Sequence, residues 1–415
     1  MSLSSGICAQ LYDFARTHNG QNISTTLNGV DVRIIQRHED ADHILRLNAA
    51  NYRKNMAWFR LVFGPSRFSE DGHAWQIRRE LTQSYFNKFD REKTFQLASH
   101  YATQAISSLT KTATASDRID DAILRTMTAS VLVENFFDIK LEATGIDLSI
   151  LATFMEAGSD YSFVPHGKTT DLYRNRLQQL PDLRRTVLRQ LGYFRDPELP
   201  QSPLLHDLLA ADQREADRIV LEHELMTFMA AGAETSAATM SWACYLLALY
   251  PEIQDRLRSL SQAFWQSSHP SWKTLASIAP LARFISETLR LFPPTPIVAR
   301  YAIEDDNLSD NSVPAGQNIM VSFIGIQHDK RLRDNPWQPD ITDSRAQIAS
   351  GDTTAFSIGP RVCGGKQFAL LEMITFLSIF LTRARFELTS DEPPAYLWKS
   401  QMLRQGGQPV RVVEL

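Results

Sequence analysis

The sequence holds little cysteine. Three residues, Cys8, Cys244 and Cys363, are spread over 415 positions. That is too few and too scattered for a disulfide framework, and the paired spacing of a zinc site is missing. A reducing, cytoplasmic setting fits. A basic excess is missing too: 43 Lys and Arg stand against 47 Asp and Glu, a net charge of −4. This argues against a general nucleic-acid binder. The N-terminus, Met-Ser-Leu-Ser-Ser-Gly-Ile-Cys, has neither a basic n-region nor an apolar core, so no secretory signal and no membrane anchor is expected. Repeats, low-complexity tracts and long linkers are absent from the sequence. One low-charge run stands out. Leu225 to Tyr250 carries a single charge, Glu234. Its length would suffice to span a bilayer. Its many Ala, Ser and Thr residues, and the lack of Lys or Arg close to either end, fit better with a helix buried in a large core.

What is present is an ordinary globular composition, 43% hydrophobic and 22% charged. Such a length allows two or three domains, though large single-core folds exist. The reading is one domain over residues 1–415, with no fused reductase or ferredoxin domain. Short strands and a small helix are predicted over 25–47, and helices over 74–88, 92–111 and 117–138. Residues 140–215 read as helical but broken near Pro165, Pro181 and the Pro197–Pro203 cluster. A long helix is predicted from about Glu215 to Tyr250, stopped by Pro251; at ~1.5 Å per residue it would exceed ~50 Å. Helices follow at 251–266 and 277–291, ended by Phe292-Pro293-Pro294. Strands are predicted at 297–303, 317–323, 385–389 and 409–414, with a turn-rich meander over 329–355. The fold class is mainly α with small β-sheets.

The densest chemical signal is Phe356-Ser-Ile-Gly359-Pro-Arg361-Val-Cys363-Gly-Gly365-Lys-Gln-Phe-Ala369. A cysteine sits in a turn next to glycines, two residues after an arginine. A mostly apolar run follows at once. Glycine permits strained turn angles and close backbone approach. The N-terminus of the next helix points N–H groups and a positive dipole end at the sulfur, which with Arg361 nearby favours thiolate. Such a thiolate suits haem iron. A buried structural cysteine is the bland alternative. The full pattern Phe-x-x-Gly-x-Arg-x-Cys-x-Gly resembles the cytochrome P450 family of haem-thiolate monooxygenases, and the order of elements resembles that fold over nearly the whole chain. The resemblance implies haem b ligated by Cys363, with Phe356, Gly359 and Gly365 shaping the loop. It is closest in kind to soluble, bacterial-type members.

Other constellations gain weight from the resemblance. Ala231-Gly232-Ala233-Glu234-Thr235-Ser236 lies inside the long helix. A helix-interior glycine costs roughly 1 kcal/mol, and a buried Glu costs more unless paired. Thr235 can bond back to the Ala231 carbonyl and loosen the ladder, opening a notch for dioxygen and water, while Gly232 lets something flat approach. A glycine at a helix crossing beside a solvated Glu is the alternative. The resemblance implies an acid–alcohol pair in which Glu234 brings protons from solvent and Thr235 delivers them. Glu287 and Arg290, three apart on a helix, resemble the family's structural Glu-x-x-Arg. A third arginine is expected at Ile341, which leaves the triad incomplete or Arg345 as its substitute. Trp75 and Arg79, with Arg300 and Arg361, fall at the family's propionate positions, and fork-shaped guanidinium donors suit carboxylates. His73 and His328 fit structural roles, not iron ligation.

The resemblance implies a monomer that oxidises a medium-sized, largely hydrophobic molecule with O2. Electrons would come from a separate ferredoxin or flavodoxin with an NAD(P)H reductase, docking near Cys363 on Arg78, Arg361 and Lys366. Specialised metabolism is the expected setting. Expected pocket residues are Phe228, Ala231, Thr295, Ile297, Val298 and Met402, with Arg60, Arg67 or His166 as candidate carboxylate anchors. Alternatives are oxidative coupling, desaturation or peroxide-driven chemistry on the same haem, or a non-enzymatic haem-thiolate sensor.

Overall fold

The computed structural model describes residues 3–27, 29–112, 117–162, 171–200, 202–214, 218–309, 311–342, 354–398 and 400–415. Pro165, His166 and Arg345 lie outside them. Helices dominate, as expected. The predicted helices appear as Gly72–Asn87, Arg91–Thr112 and Asp121–Phe137, then Pro251–Trp265 and Ala279–Leu291. The helix after the cysteine runs from Lys366 to Arg383. Two departures concern proline and length. Pro181 does not break the chain but lies inside the helix Asp171–Leu191. Leu180, Leu183 and Val187 pack against the core there, and that burial outweighs the lost backbone bond. The long helix begins at Leu221, not near Glu215.

That long helix is in three parts. Leu221–Met229 is α-helical, Ala230–Glu234 is a π-turn, and Thr235–Leu249 is α-helical again. Pro251 then opens the next helix at its first turn, where its missing N–H is harmless. The Thr235–Leu249 segment is apolar on all sides because it is buried on all sides. Asp121–Phe137, Ala279–Leu291 and the C-terminal strand Ala384–Leu388 all pack on it. Gln254 ties its end to that strand: its amide donates to the Leu247 and Phe386 carbonyls at 3.0 and 2.9 Å and accepts the Phe386 N–H at 2.8 Å. Among the described residues, no helix is long and apolar enough to cross a membrane.

The larger sheet orders its strands as Ile23–Leu27, Val30–Ile35, Asn318–Ser322, Ile297–Ala302 and Tyr52–Arg53. Val30–Ile35 and Asn318–Ser322 run parallel, Val32 facing Asn318; the other pairs are antiparallel. A hairpin pairs Tyr396–Trp398 with Met402–Arg404. The Met402–Arg404 strand of that hairpin packs on the long helix. The cavity described next lies between the long helix and the larger sheet.

Candidate active site

A cavity of about 1090 Å³ opens between the long helix, the Cys363 loop and the larger sheet. This is at the top of the usual range for small-molecule sites, ~300–1,000 Å³, and leaves room for a cofactor together with a substrate. Cys363 lies in its wall. The Cys363 N–H donates to the Phe356 carbonyl at 2.9 Å, which closes the loop on itself. Ser357 at φ 65° and Gly359 at φ 73° carry the left-handed backbone. A Cβ on Gly359 would stand 2.1 Å from the Leu45 carbonyl oxygen, so only glycine fits. Gly365 also lines the cavity, without the left-handed backbone. Its φ of −86° is open to any residue, and its place is that of helix N-cap. Burial raises the Cys363 thiol pKa. The Gly365 and Lys366 N–H groups and the Arg67 and Lys366 charges oppose that rise.

The long helix supplies the next part of the wall. The Thr235 hydroxyl donates to the Ala231 carbonyl at 2.6 Å, the bond expected from the sequence. Thr128 takes the Ala233 carbonyl at 2.9 Å and Gln401 the Ala230 carbonyl at 3.3 Å. A π-turn disturbs the regular ladder, and these side chains satisfy carbonyls around it. Gly232 lines the cavity beside Ala231, and a Cβ there would also meet Leu132 at 2.8 Å, so the missing side chain admits a neighbouring helix as well. Glu234 lies on another face of the helix. Successive helical residues point ~100° apart. With Thr235 in the cavity wall, Glu234 turns out of it and pairs with Arg125 at 2.7 Å.

One side of the cavity carries a surplus of positive charge. Lys54, Arg300 and Arg361 line it beside the Asp71 carboxylate, the one that acts on all three among the described residues. Arg361 donates to Asp71 and to the Glu70 carbonyl, while its Nη1 finds no partner among the described residues. Burial pushes Arg300 and Arg361 down to about 10 and lowers Lys54 well below its usual range. Cations so disfavoured call for anionic partners, and the two propionates of a haem match that demand. Trp75 lines the cavity under the Arg361 guanidinium, 4.0 Å from it. Arg79 lies over Trp75 at 5.2 Å but outside the wall. Lys54 escaped the sequence reading because Asn-Tyr-Arg-Lys-Asn carries no motif.

Phe228, Ala231, Thr295, Ile297 and Val298 line the cavity as expected. Met402 does not. It is buried among Cys8, Leu11 and Tyr12, and its carbonyl accepts the Trp242 indole N–H at 2.9 Å. Arg60 is engaged with the Ser69 carbonyl and Glu70. Arg67 lines the cavity but bonds Thr82 and Gln83. Neither is a ready carboxylate anchor. Arg78 is no docking charge, being buried against Glu224 at 2.9 Å. Arg361 is likewise spent inside the cavity, and Lys366 is half-buried near the Phe356 ring. His328 is buried, bonded to the Ile324 carbonyl, and held neutral by burial at about 3.

Beneath the loop, Glu287 lies among three arginines. Arg290 meets it at 2.8 Å, Arg283 at 3.5 Å and Arg333 at 3.7 Å. Arg290 also holds the Gln327 and Gln338 carbonyls, Arg283 holds the Asp340 carbonyl at 3.0 Å, and Glu287 accepts the Asp340 N–H at 3.0 Å. Ile341 is packed in the hydrophobic core. Arg283, one helical turn before Glu287, and Arg333 add guanidiniums beside this carboxylate; Arg345 lies outside the described residues. This helix touches the Thr354–Phe356 turn that leads into the Cys363 loop.

Glu372, on the helix after the loop, is wholly buried against Ser236, and neither carboxyl oxygen has a well-formed partner among the described residues. Burial raises its pKa to about 8. The folded protein therefore keeps a proton that the unfolded chain loses above ~4.3. Stability should fall as pH rises through that window, by at most ~1.4 kcal/mol per unit, and level off above about 8. Glu372→Gln should flatten this dependence in thermal melts taken from pH 5 to 9. An unchanged slope would mean the group ionises freely in the fold.

The family signature described as Cytochrome P450 matches residues 4–409. Similar proteins include cytochrome P450 4X1 of Rattus norvegicus, 35% identical over 45% of this chain and 38% of that protein. Pentalenene oxygenase of Streptomyces avermitilis is 33% identical over 53% of this chain and 50% of that protein. A cytokinin hydroxylase of Arabidopsis thaliana is 33% identical over 40% of this chain and 33% of that protein. The chain thus spans half or less of the length of these relatives. The match across nearly all of its residues, together with the loop and the cation-lined cavity, places the chain in the cytochrome P450 family.

Proposed function

We propose that the chain is a haem-thiolate monooxygenase that inserts one oxygen atom of O2 into a medium-sized, largely apolar molecule, by hydroxylation or epoxidation, in specialised metabolism. The observation that carries this reading is the meeting in one cavity of Cys363, the Ala231–Thr235 notch and the unbalanced cations Lys54, Arg300 and Arg361. Haem b, when bound, supplies electron transfer and dioxygen activation, which a thiolate ligand favours. Cys363 would hold its iron. Arg300, Arg361 and Lys54 would hold its propionates, with Trp75 and Arg79 beside them. Apolar side chains such as Phe228, Ile297 and Val298 bind substrate and exclude water. Thr235 delivers protons into the cavity by releasing its bond to Ala231. Glu234, at the Arg125 side of the helix, takes protons from solvent. Electrons come from a separate ferredoxin or flavodoxin and an NAD(P)H-dependent reductase.

Thr235→Ala tests the proton role. The variant should bind haem and substrate yet release more peroxide per NADPH consumed, with product formation down ~10²–10⁴-fold. Product and peroxide are measured with a surrogate redox partner. Coupling equal to wild type would leave Thr235 as a notch residue alone.

A further inference from the structure

One cation of the cavity wall lies against the Cys363 loop itself. Arg67 lines the cavity together with Cys363, Gly364 and Phe86. Position 364, directly after the cysteine, is a free position of the cysteine pattern and is glycine here. A Cβ on Gly364 would stand 2.9 Å from Nη2 of Arg67, and 3.3 Å from both the Gln83 amide oxygen and the Phe86 ring. The guanidinium fills the space that a side chain at 364 would take.

Three neighbours on the helix Gly72–Asn87 hold it there. Nη1 donates to the Thr82 hydroxyl at 2.7 Å, Nη2 donates to Gln83 Oε1, and the guanidinium lies 5.4 Å from the centre of the Phe86 ring. The backbone is tied as well, since the Arg67 N–H donates to Glu224 at 3.2 Å. All three side-chain neighbours are neutral. Glu224, the carboxylate that acts on Arg67, is itself bonded to Arg78 at 2.9 Å. Burial lowers the Arg67 pKa and the Cys363 sulfur raises it. A partly desolvated cation among neutral groups is stabilised by an anion, and the Cys363 thiolate is one. Lys366 acts on the same sulfur, with its ammonium 5.6 Å from the centre of the Phe356 ring.

We propose that Arg67 acts through the Cys363 sulfur to raise the reduction potential of the bound haem, and so eases entry of the first electron. The inference rests on the haem-thiolate reading of the same cavity. The sign follows from charge. Reduction adds one negative charge to the iron and its thiolate, and a fixed cation beside them favours the reduced form. In a half-buried site salt screens this little. Groups that surround a metal ligand without touching the metal tune it in this way, and burial and hydrogen bonding at the axial ligand are the levers a protein has on haem. Arg67 touches neither iron nor substrate in this role; it is a positioning residue for charge at the sulfur.

Spectroelectrochemical titration of the haem-loaded protein tests this. Saturating imidazole is present throughout, so that the sixth ligand is the same in every sample. Arg67→Met should shift the reduction equilibrium roughly tenfold toward the oxidised form, a fall in potential of about 59 mV for one electron. Arg67→Lys keeps a positive charge and should hold most of the wild-type potential. Arg67→Gln is a second neutral variant, with an amide to bond Thr82, and should fall as Arg67→Met does; it carries the test where Arg67→Met loads no haem. An unchanged potential in the neutral variants would overturn the inference. So would an equal fall in Arg67→Lys, since packing rather than charge would then be responsible. Either result, with the red-shifted Soret band of the carbon monoxide complex still present, leaves the haem-thiolate reading intact. A wild-type protein that lacks that band would overturn the reading itself.

Discussion

Glu287→Ala should yield little or no haem-loaded protein. Its carboxylate is buried at the meeting point of Arg283, Arg290 and Arg333. Removing one member of a buried ion pair costs ~3–5 kcal/mol, because charge is left without a partner. Here Arg290 loses its bidentate partner, Arg283 and Arg333 lose a neighbouring charge, and the Asp340 N–H loses its acceptor. The Asp340 segment would slacken, and the Ala279–Leu291 helix that carries Glu287 touches the Thr354–Phe356 turn leading to the Cys363 loop. Haem content per protein and the thermal midpoint measure the effect. Arg283→Met should cause a similar loss, since Arg283 reaches both Glu287 and the Asp340 carbonyl. Ile341→Arg alone should be destabilising, because it drives a second guanidinium into a core site already served. In the Arg283→Met background it should recover part of the haem content. A fully loaded, normally stable Glu287→Ala protein would reduce the cluster to an incidental contact.

Cys363→Ser should separate ligation from folding. The Cys363 side chain faces the cavity rather than the packed core. Its replacement should change the stability of the haem-free protein no more than a surface change does, by ~0.5 kcal/mol or less. Monooxygenase turnover should fall to background and the thiolate signature should vanish. Cys244→Ser is the contrasting control. Cys244 is fully buried, so a hydroxyl there should lower stability by ~1–3 kcal/mol while haem, once bound, keeps its spectrum. Retained turnover in Cys363→Ser would remove this residue from the site.

The parts of this molecule that were legible in the sequence are those encoded locally. The Cys363 loop is a run of contiguous residues whose turn angles, dipole and glycine at 359 belong to one short segment. The Thr235 bond to Ala231 follows from helical spacing alone. Burial of the Leu225–Tyr250 run could be read from its Ala and Ser content. What escaped depends on which way a side chain points or on what a distant segment brings. Glu234 and Thr235 are neighbours in sequence, yet only Thr235 enters the cavity wall, since a helix turns ~100° between them. Lys54 joins Arg300 and Arg361 only because a short edge strand, Tyr52–Arg53, pairs with the strand that carries Arg300. Arg78 reads as a surface charge until Glu224, from the start of the long helix, meets it. Arg283 was within reach of the sequence: it stands four residues before Glu287, on the same helix face. The family pattern directed attention to position 341 instead.

The most direct test of the account is the absorption spectrum of the reduced wild-type protein under carbon monoxide. A haem held by the Cys363 thiolate should give a strongly red-shifted Soret band, at one haem per chain, and Cys363→Ser should lose it. A Soret band at the ordinary position of a histidine-ligated haem in the wild-type protein, or the red-shifted band persisting in Cys363→Ser, would contradict it.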